Sequence, residues 1–183
     1  MKLGFFSDVH GDLERLDRCL QLLDDVDQLV CLGDVLGGRH DRECWQRLSS
    51  IPGLVWVAGN HDLWEYEQVT LPAGALDHLP LTWERDSVLA LHSRFDGQPP
   101  RFSYIFAASE AEELGQLYTH RRIFFGHTHL HQIHSLHPDG RVGFRKASPG
   151  RLDLDAEVRY LVNVGQNGAT VYNQEEDWLE VRW

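Results

Sequence analysis

Short apolar runs that stop abruptly at polar clusters constrain this chain more than any other feature. Lys2 to Ser7 reads as a strand and opens onto Asp8-Val9-His10. Gln28 to Leu32 opens onto Gly33-Asp34, and Leu54 to Ala58 onto Gly59-Asn60-His61-Asp62. Between them, Asp12 to Leu23 has the apolar spacing of an amphipathic helix and Arg42 to Ser49 that of a shorter one. Strand, helix and strand in alternation call for a mainly parallel sheet with helices against it.

The pattern then changes. Thr82 to Asp86, Ser87 to Leu91 and Arg121 to Phe125 read as further strands, with Glu110 to Tyr118 helical between them. After Gly126 come short strand-like pieces at Ile133–Leu136, Val142–Lys146, Val158–Val164, Ala169–Tyr172 and Trp178–Val181. Pro138-Asp139-Gly140, Ser148-Pro149-Gly150 and Gln166-Asn167-Gly168 punctuate them as turns. The expected fold class is α/β, a four-layer α/β/β/α sandwich with two mixed sheets, formed by residues 1–183 as a single domain.

Polar clusters at strand ends are where open α/β sheets hold their ligands. His92 and Gly126-His127-Thr128-His129 extend the series already described. In extended segments Asp8 and His10 share a side, as do His127 and His129, because the side-chain period is two. Asp, His and Asn without a thiolate suit first-row divalent ions such as Mn, Fe, Zn or Ni. Singly, each cluster reads equally well as an ordinary turn or a half-buried histidine; the order and chemistry of the set carry the inference.

The ordered series Asp-x-His, Gly-Asp, Gly-Asn-His-Asp, His, Gly-His-x-His resembles the calcineurin-like metallophosphoesterases, and in particular their small bacterial and archaeal phosphodiesterase branch. The likeness is specific over residues 1–135 and loose beyond. It implies two divalent metal ions, Mn before Fe, Zn or Ni, with Asp8, His10 and His129 on one and Asn60, His92 and His127 on the other. Asp34 is implied to bridge them. His61 is implied to be catalytic, protonating the leaving oxygen, and with Asn60 to face the substrate. The family usually has Gly after the residue matching His92. Ser93-Arg94 stands there instead, so a reshaped loop is expected, with Arg94 as a candidate substrate-binding residue.

The implied activity is hydrolysis of phosphodiesters or phosphomonoesters of small molecules. Its alternatives are a non-catalytic interaction module on the same fold and a nucleotide or dinucleoside polyphosphate hydrolase. A formal net charge of −11 without a basic cluster disfavours extended nucleic acid as a partner. No apolar run approaches the roughly 18 residues of a membrane span. Cys19, Cys31 and Cys44 form no CxxC pair, which with the plain amino terminus points to a cytoplasmic setting. His131 is expected behind the ligands and His134 on the surface.

Overall fold

The computed structural model describes residues 1–64 and 71–183. Its elements are β1 (Lys2–Phe6), α1 (Leu13–Leu22), β2 (Gln28–Cys31), α2 (Asp41–Ser49), β3 (Val55–Trp56), α3 (Asn60–Trp64), β4 (Thr82–Arg85), β5 (Val88–Leu91), β6 (Arg94–Asp96), β7 (Arg101–Ser103), α4 (Ala108–Leu117), β8 (Arg122–Phe125), β9 (His131–Leu136), β10 (Val142–Lys146), β11 (Gly150–Asp153), β12 (Arg159–Val164), β13 (Ala169–Asn173) and β14 (Trp178–Arg182).

Two six-stranded sheets form, ordered β11-β14-β13-β1-β2-β3 and β10-β9-β12-β8-β5-β4, each mixing parallel and antiparallel pairs. Strand alternation sorts the side chains into layers. Leu3, Phe5, Val30 and Leu179 of the first sheet meet Ala90, Phe124 and Val162 of the second in one buried cluster. Phe5 and Phe124 stack across the gap with centroids 3.9 Å apart. The opposite face of the first sheet, with Phe6, Cys31 and Val171, packs on Leu16, Cys19 and Cys44 of α1 and α2. The outer face of the second sheet packs Leu89, Ile123 and Leu161 on Ala111 and Leu114 of α4. The result is the expected four-layer sandwich.

Parts of the fold depart from the sequence reading. A separate two-stranded hairpin, β6–β7, follows β5 immediately, and β11 adds an edge strand beginning at Gly150. His134 is not on the surface. It is fully buried on β9, because its neighbour Ile133 faces the inter-sheet core and the alternation turns His134 toward the α4 layer, with the Phe144 ring 5.2 Å away.

Neither ring nitrogen of His134 has a protein hydrogen-bond partner, and burial pushes its pKa down. Replacing it with Leu removes a buried polar group without a partner, so His134→Leu is expected to raise stability by about 1–2 kcal/mol, read as a higher urea midpoint. The sign with pH follows from the lowered pKa. The unfolded chain takes up a proton near pH 6.5 while the folded His134 does not. Wild-type stability therefore falls as pH drops below that value, and the Leu variant loses less over the same range.

Candidate metal centre

β1, β2 and β3 run parallel in the first sheet, and β5 and β8 run parallel in the second. Each sequence-predicted cluster lies just past the carboxyl end of one of these strands: Asp8 and His10 after β1, Asp34 after β2, Asn60 after β3, His92 after β5, and His127 and His129 after β8. The loops are tied together through their backbones. Asp8 N donates to Gly33 O at 3.0 Å, His10 N to Asp34 O at 3.0 Å, and Gly11 N to Val35 O at 2.7 Å.

These segments are not extended. Asp8, His10, Asp34, His127 and His129 have φ of 57°, 49°, 53°, 72° and 61°, in the left-handed region. Such a backbone costs an L-residue roughly 1–2 kcal/mol and concentrates at functional sites. It also alters how the pairs meet. A left-handed residue breaks the two-residue period and turns the chain sharply. Asp8 and His10 still converge, whereas His127 and His129 part to two adjacent groups.

Those groups are Asp8 with His10 and His129, and Asp34 with His92 and His127; a third joins His10, Asp34 and His61. Within each, the donor atoms lie within 4.8 Å of one another. Asp8 Oδ1 is 3.6 Å from His129 Nε2 and 3.9 Å from His10 Nε2. Asp34 Oδ2 stands between the groups, 3.3 Å from His92 Nε2 and 3.9 Å from His10 Nε2. Asn60 Oδ1 completes the second, 3.2 Å from His92 Nε2.

The donor set fits a divalent cation. His10 Nε2 and His129 Nε2 face each other at 3.1 Å, as do His92 Nε2 and His127 Nδ1. Two imidazole lone pairs aimed at one point need a proton or a cation between them. Burial, opposed only in part by Asp34, pushes His10 and His127 down to about 4, which keeps both in the neutral form that ligates metals. Burial also opposes charge on His92, yet the adjacent Asp34 carboxylate outweighs it and carries His92 up to about 9. Burial raises Asp8.

Several residues hold the donors in place. His92 Nδ1 lies 2.8 Å from Leu32 O, which fixes that nitrogen as the protonated one and turns Nε2 toward the cluster. His127 N donates to both oxygens of Asp8. Asp62 is fully buried at the start of α3. Its Oδ2 accepts from Asp34 N and Gly59 N, at 2.9 and 3.0 Å, and its Oδ1 from Val35 N and Leu36 N, at 2.9 and 3.2 Å. Two loops from different strands are thus locked on one carboxylate. Gly59 is required there, since a Cβ would come within 2.2 Å of Asp34 Oδ1. Asn163, at the end of β12, steadies the His127 loop by donating to Gly126 O at 3.0 Å and Thr128 Oγ1 at 2.6 Å.

Sequence reasoning gave Asp62 and Asn163 no positioning role. For each there was a signal: a carboxylate one residue after His61, and a lone amide inside the apolar run Leu161-Val162-Asn163-Val164.

His61 stands at the cluster's edge. Its ring meets His10 edge-on with centroids 4.7 Å apart, and its amide donates to Asp34 Oδ1 at 2.8 Å. Arg94 is elsewhere engaged. It begins β6 and its guanidinium pairs with Glu113 of α4. Ser93 Oγ donates to Ser103 O, so the residues after His92 are built into the hairpin.

Comparison with known proteins agrees with this architecture. The family model of the calcineurin-like phosphoesterase superfamily domain matches residues 1–170. No match was found among curated proteins. Among solved structures, a metallophosphoesterase from Sphaerobacter thermophilus superposes with a TM-score of 0.82 at 22% identity, covering 100% of this chain and 87% of that one. YfcE, a phosphoesterase from E. coli, gives 0.53 at 21% identity, with 95% and 89% covered. An archaeal phosphodiesterase gives 0.56 at 15% identity, with 99% of both chains covered. These likenesses concern the fold; the family match concerns the sequence. The chain belongs to the calcineurin-like phosphoesterase superfamily and is a hydrolase acting on phosphate ester bonds.

Proposed function

We propose that this protein hydrolyses phosphodiesters or phosphomonoesters of small molecules at a centre holding two divalent ions. The observation that carries the reading is the convergence of two donor groups on the shared Asp34. Asp8, His10 and His129 would hold one ion, Asn60, His92 and His127 the other, and Asp34 would serve both, with Mn ahead of Fe, Zn or Ni. When bound, such ions supply Lewis acidity, acidifying water and offsetting charge on the phosphate oxygens.

The chain's own residues do the rest. Asp8 and Asp34 fix the electrostatic balance. Asn60 contributes a neutral carbonyl, so the second group carries no further negative charge to repel a phosphate. His61, whose ring meets His10 and whose amide donates to Asp34, would protonate the departing ester oxygen. A cleft of about 490 Å³ begins at His10 and is lined by Asp12, Glu14, Asp17, Arg39 and His40, giving room for a substituent on the phosphate. Arg94 reaches a phosphate only by leaving Glu113, so its binding role requires exchange of that pair. The reading takes residues 1–183 as one domain. The three cysteines are free and buried, which suits a cytoplasmic setting; among the described residues no helix is long and apolar enough to cross a membrane.

The test separates binding from chemistry. Calorimetric titration of chelator-stripped protein with Mn²⁺ is expected to give two equivalents per chain. In His61→Ala both equivalents should remain, while hydrolysis falls by roughly 10²–10⁴-fold, the range for loss of a general acid. A single equivalent in wild type, or full activity in His61→Ala, would contradict the assignment.

A further inference from the structure

The β6–β7 hairpin and the segment after it place an aromatic surface against the cluster. Tyr104 lies flat on the His127 ring, with centroids 4.1 Å apart and planes 15° apart. Phe106 stacks with Tyr104 at 5.4 Å. Phe102 stands edge-on to His92 at 5.4 Å, and Trp64 of α3 stands edge-on to Phe102 at 6.4 Å. Of these, Trp64, Tyr104 and Phe106 are 52%, 56% and 46% exposed. Ile105 between them is buried in the α4 core, which turns residues 104 and 106 outward together. None of Trp64, Tyr104 and Phe106 belongs to a core cluster. Trp64 is joined to Tyr104 and Phe106 through the rings of Phe102 and His127, so the exposed rings line one side of the cluster without entering a core, and contiguous exposed apolar surface marks a binding site.

We infer that this surface is a base subsite: the ester taken at the candidate metal centre is that of a small nucleotide, whose heterocycle stacks on Tyr104 and Trp64. For the phosphate end the inference rests on the reading under Proposed function. The aromatic surface touches His92 and His127 directly, so one small molecule reaches both. Among phosphate esters, a planar ring joined to a phosphate through a short sugar has this shape. Every nucleobase offers a π face to an aromatic side chain, and its polar edge stays in water at an open surface. A net charge of −11 disfavours extended nucleic acid and leaves a mononucleotide or dinucleotide as the ligand.

The experiment is calorimetric binding of AMP and of ribose 5-phosphate to the full chain, with Mn²⁺ present throughout. The two ligands share sugar and phosphate and differ in the base. AMP is expected to bind about tenfold more tightly, the scale of one base–aromatic stack. In Tyr104→Ala and in Trp64→Ala that ratio should shrink toward one, and in Tyr104→Phe it should persist. Both truncated side chains are exposed, so folding does not obscure the result. Equal affinities in wild type, absence of AMP binding, or a ratio unchanged in both Ala variants overturns the subsite, including in favour of a protein partner on this surface. Base-dependent binding without hydrolysis of any ester would instead sink the hydrolytic reading and leave the subsite standing. Hydrolysis with base-independent binding would do the reverse.

Discussion

Asp34→Asn is expected to abolish ester hydrolysis, with a loss of about a thousandfold or more, while the protein stays folded. Asp34 Oδ2 lies between the two donor groups, 3.3 Å from His92 Nε2 and 3.9 Å from His10 Nε2. Asparagine keeps the shape and leaves Oδ1 to accept from His61 N. What disappears is the negative charge that draws and joins the cations. Metal-borne charge stabilisation is worth several kcal/mol, which converts to a rate loss of that order. The effect on the fold is two-sided. Burial, and after it the Asp34 charge, raises Asp8 and Asp62, a repulsion the substitution relieves, while the buried pairing of Asp34 with His92 is lost. Activity and thermal midpoint measured on the same preparation check the pair of claims. Activity within tenfold of wild type would contradict the role.

The second large effect concerns stability. Asp62→Ala strips four backbone N–H groups of their acceptor at once, in a region with no solvent access at the side chain. Each buried donor left without a partner costs about 1–3 kcal/mol. Refilling by water reduces the sum, so a loss of at least about 4 kcal/mol is expected, a large share of the 5–15 kcal/mol typical of a domain. At this chain length it lowers the melting temperature by roughly 10 °C. Asp62→Asn should fall between: its oxygen serves one pair of donors, and its amide group opposes the other pair. Urea unfolding of the three proteins gives the order directly. An Ala variant within 1 kcal/mol of wild type would show that these bonds do not hold the loops.

The first sheet was legible because its apolar runs are long and each ends at glycine or a polar cluster, as at Leu32-Gly33-Asp34 and Ala58-Gly59-Asn60. The β6–β7 hairpin was not. Its strands Arg94–Asp96 and Arg101–Ser103 each contain one apolar residue, too few to show a period. β11 hid behind Ser148-Pro149-Gly150, which reads as a turn, and carries only Leu152 as an apolar residue. In the candidate site, the identities of the converging residues were readable from their order along the chain. Their backbone was not, since five left-handed residues violate the extended periodicity the sequence suggests. His134 shows the same limit from the other side. Its sequence context gave no sign of a second layer over β9, and the docking of α4 there buries it.

Whether bound divalent ions drive hydrolysis at this donor cluster is read from turnover of bis-p-nitrophenyl phosphate by chelator-stripped protein, before and after Mn²⁺ is returned. No turnover is expected in the stripped protein, and restored turnover on addition of the ion. Turnover that persists unchanged after chelation, or none with Mn, Fe, Zn or Ni returned, would contradict a metal-driven reaction.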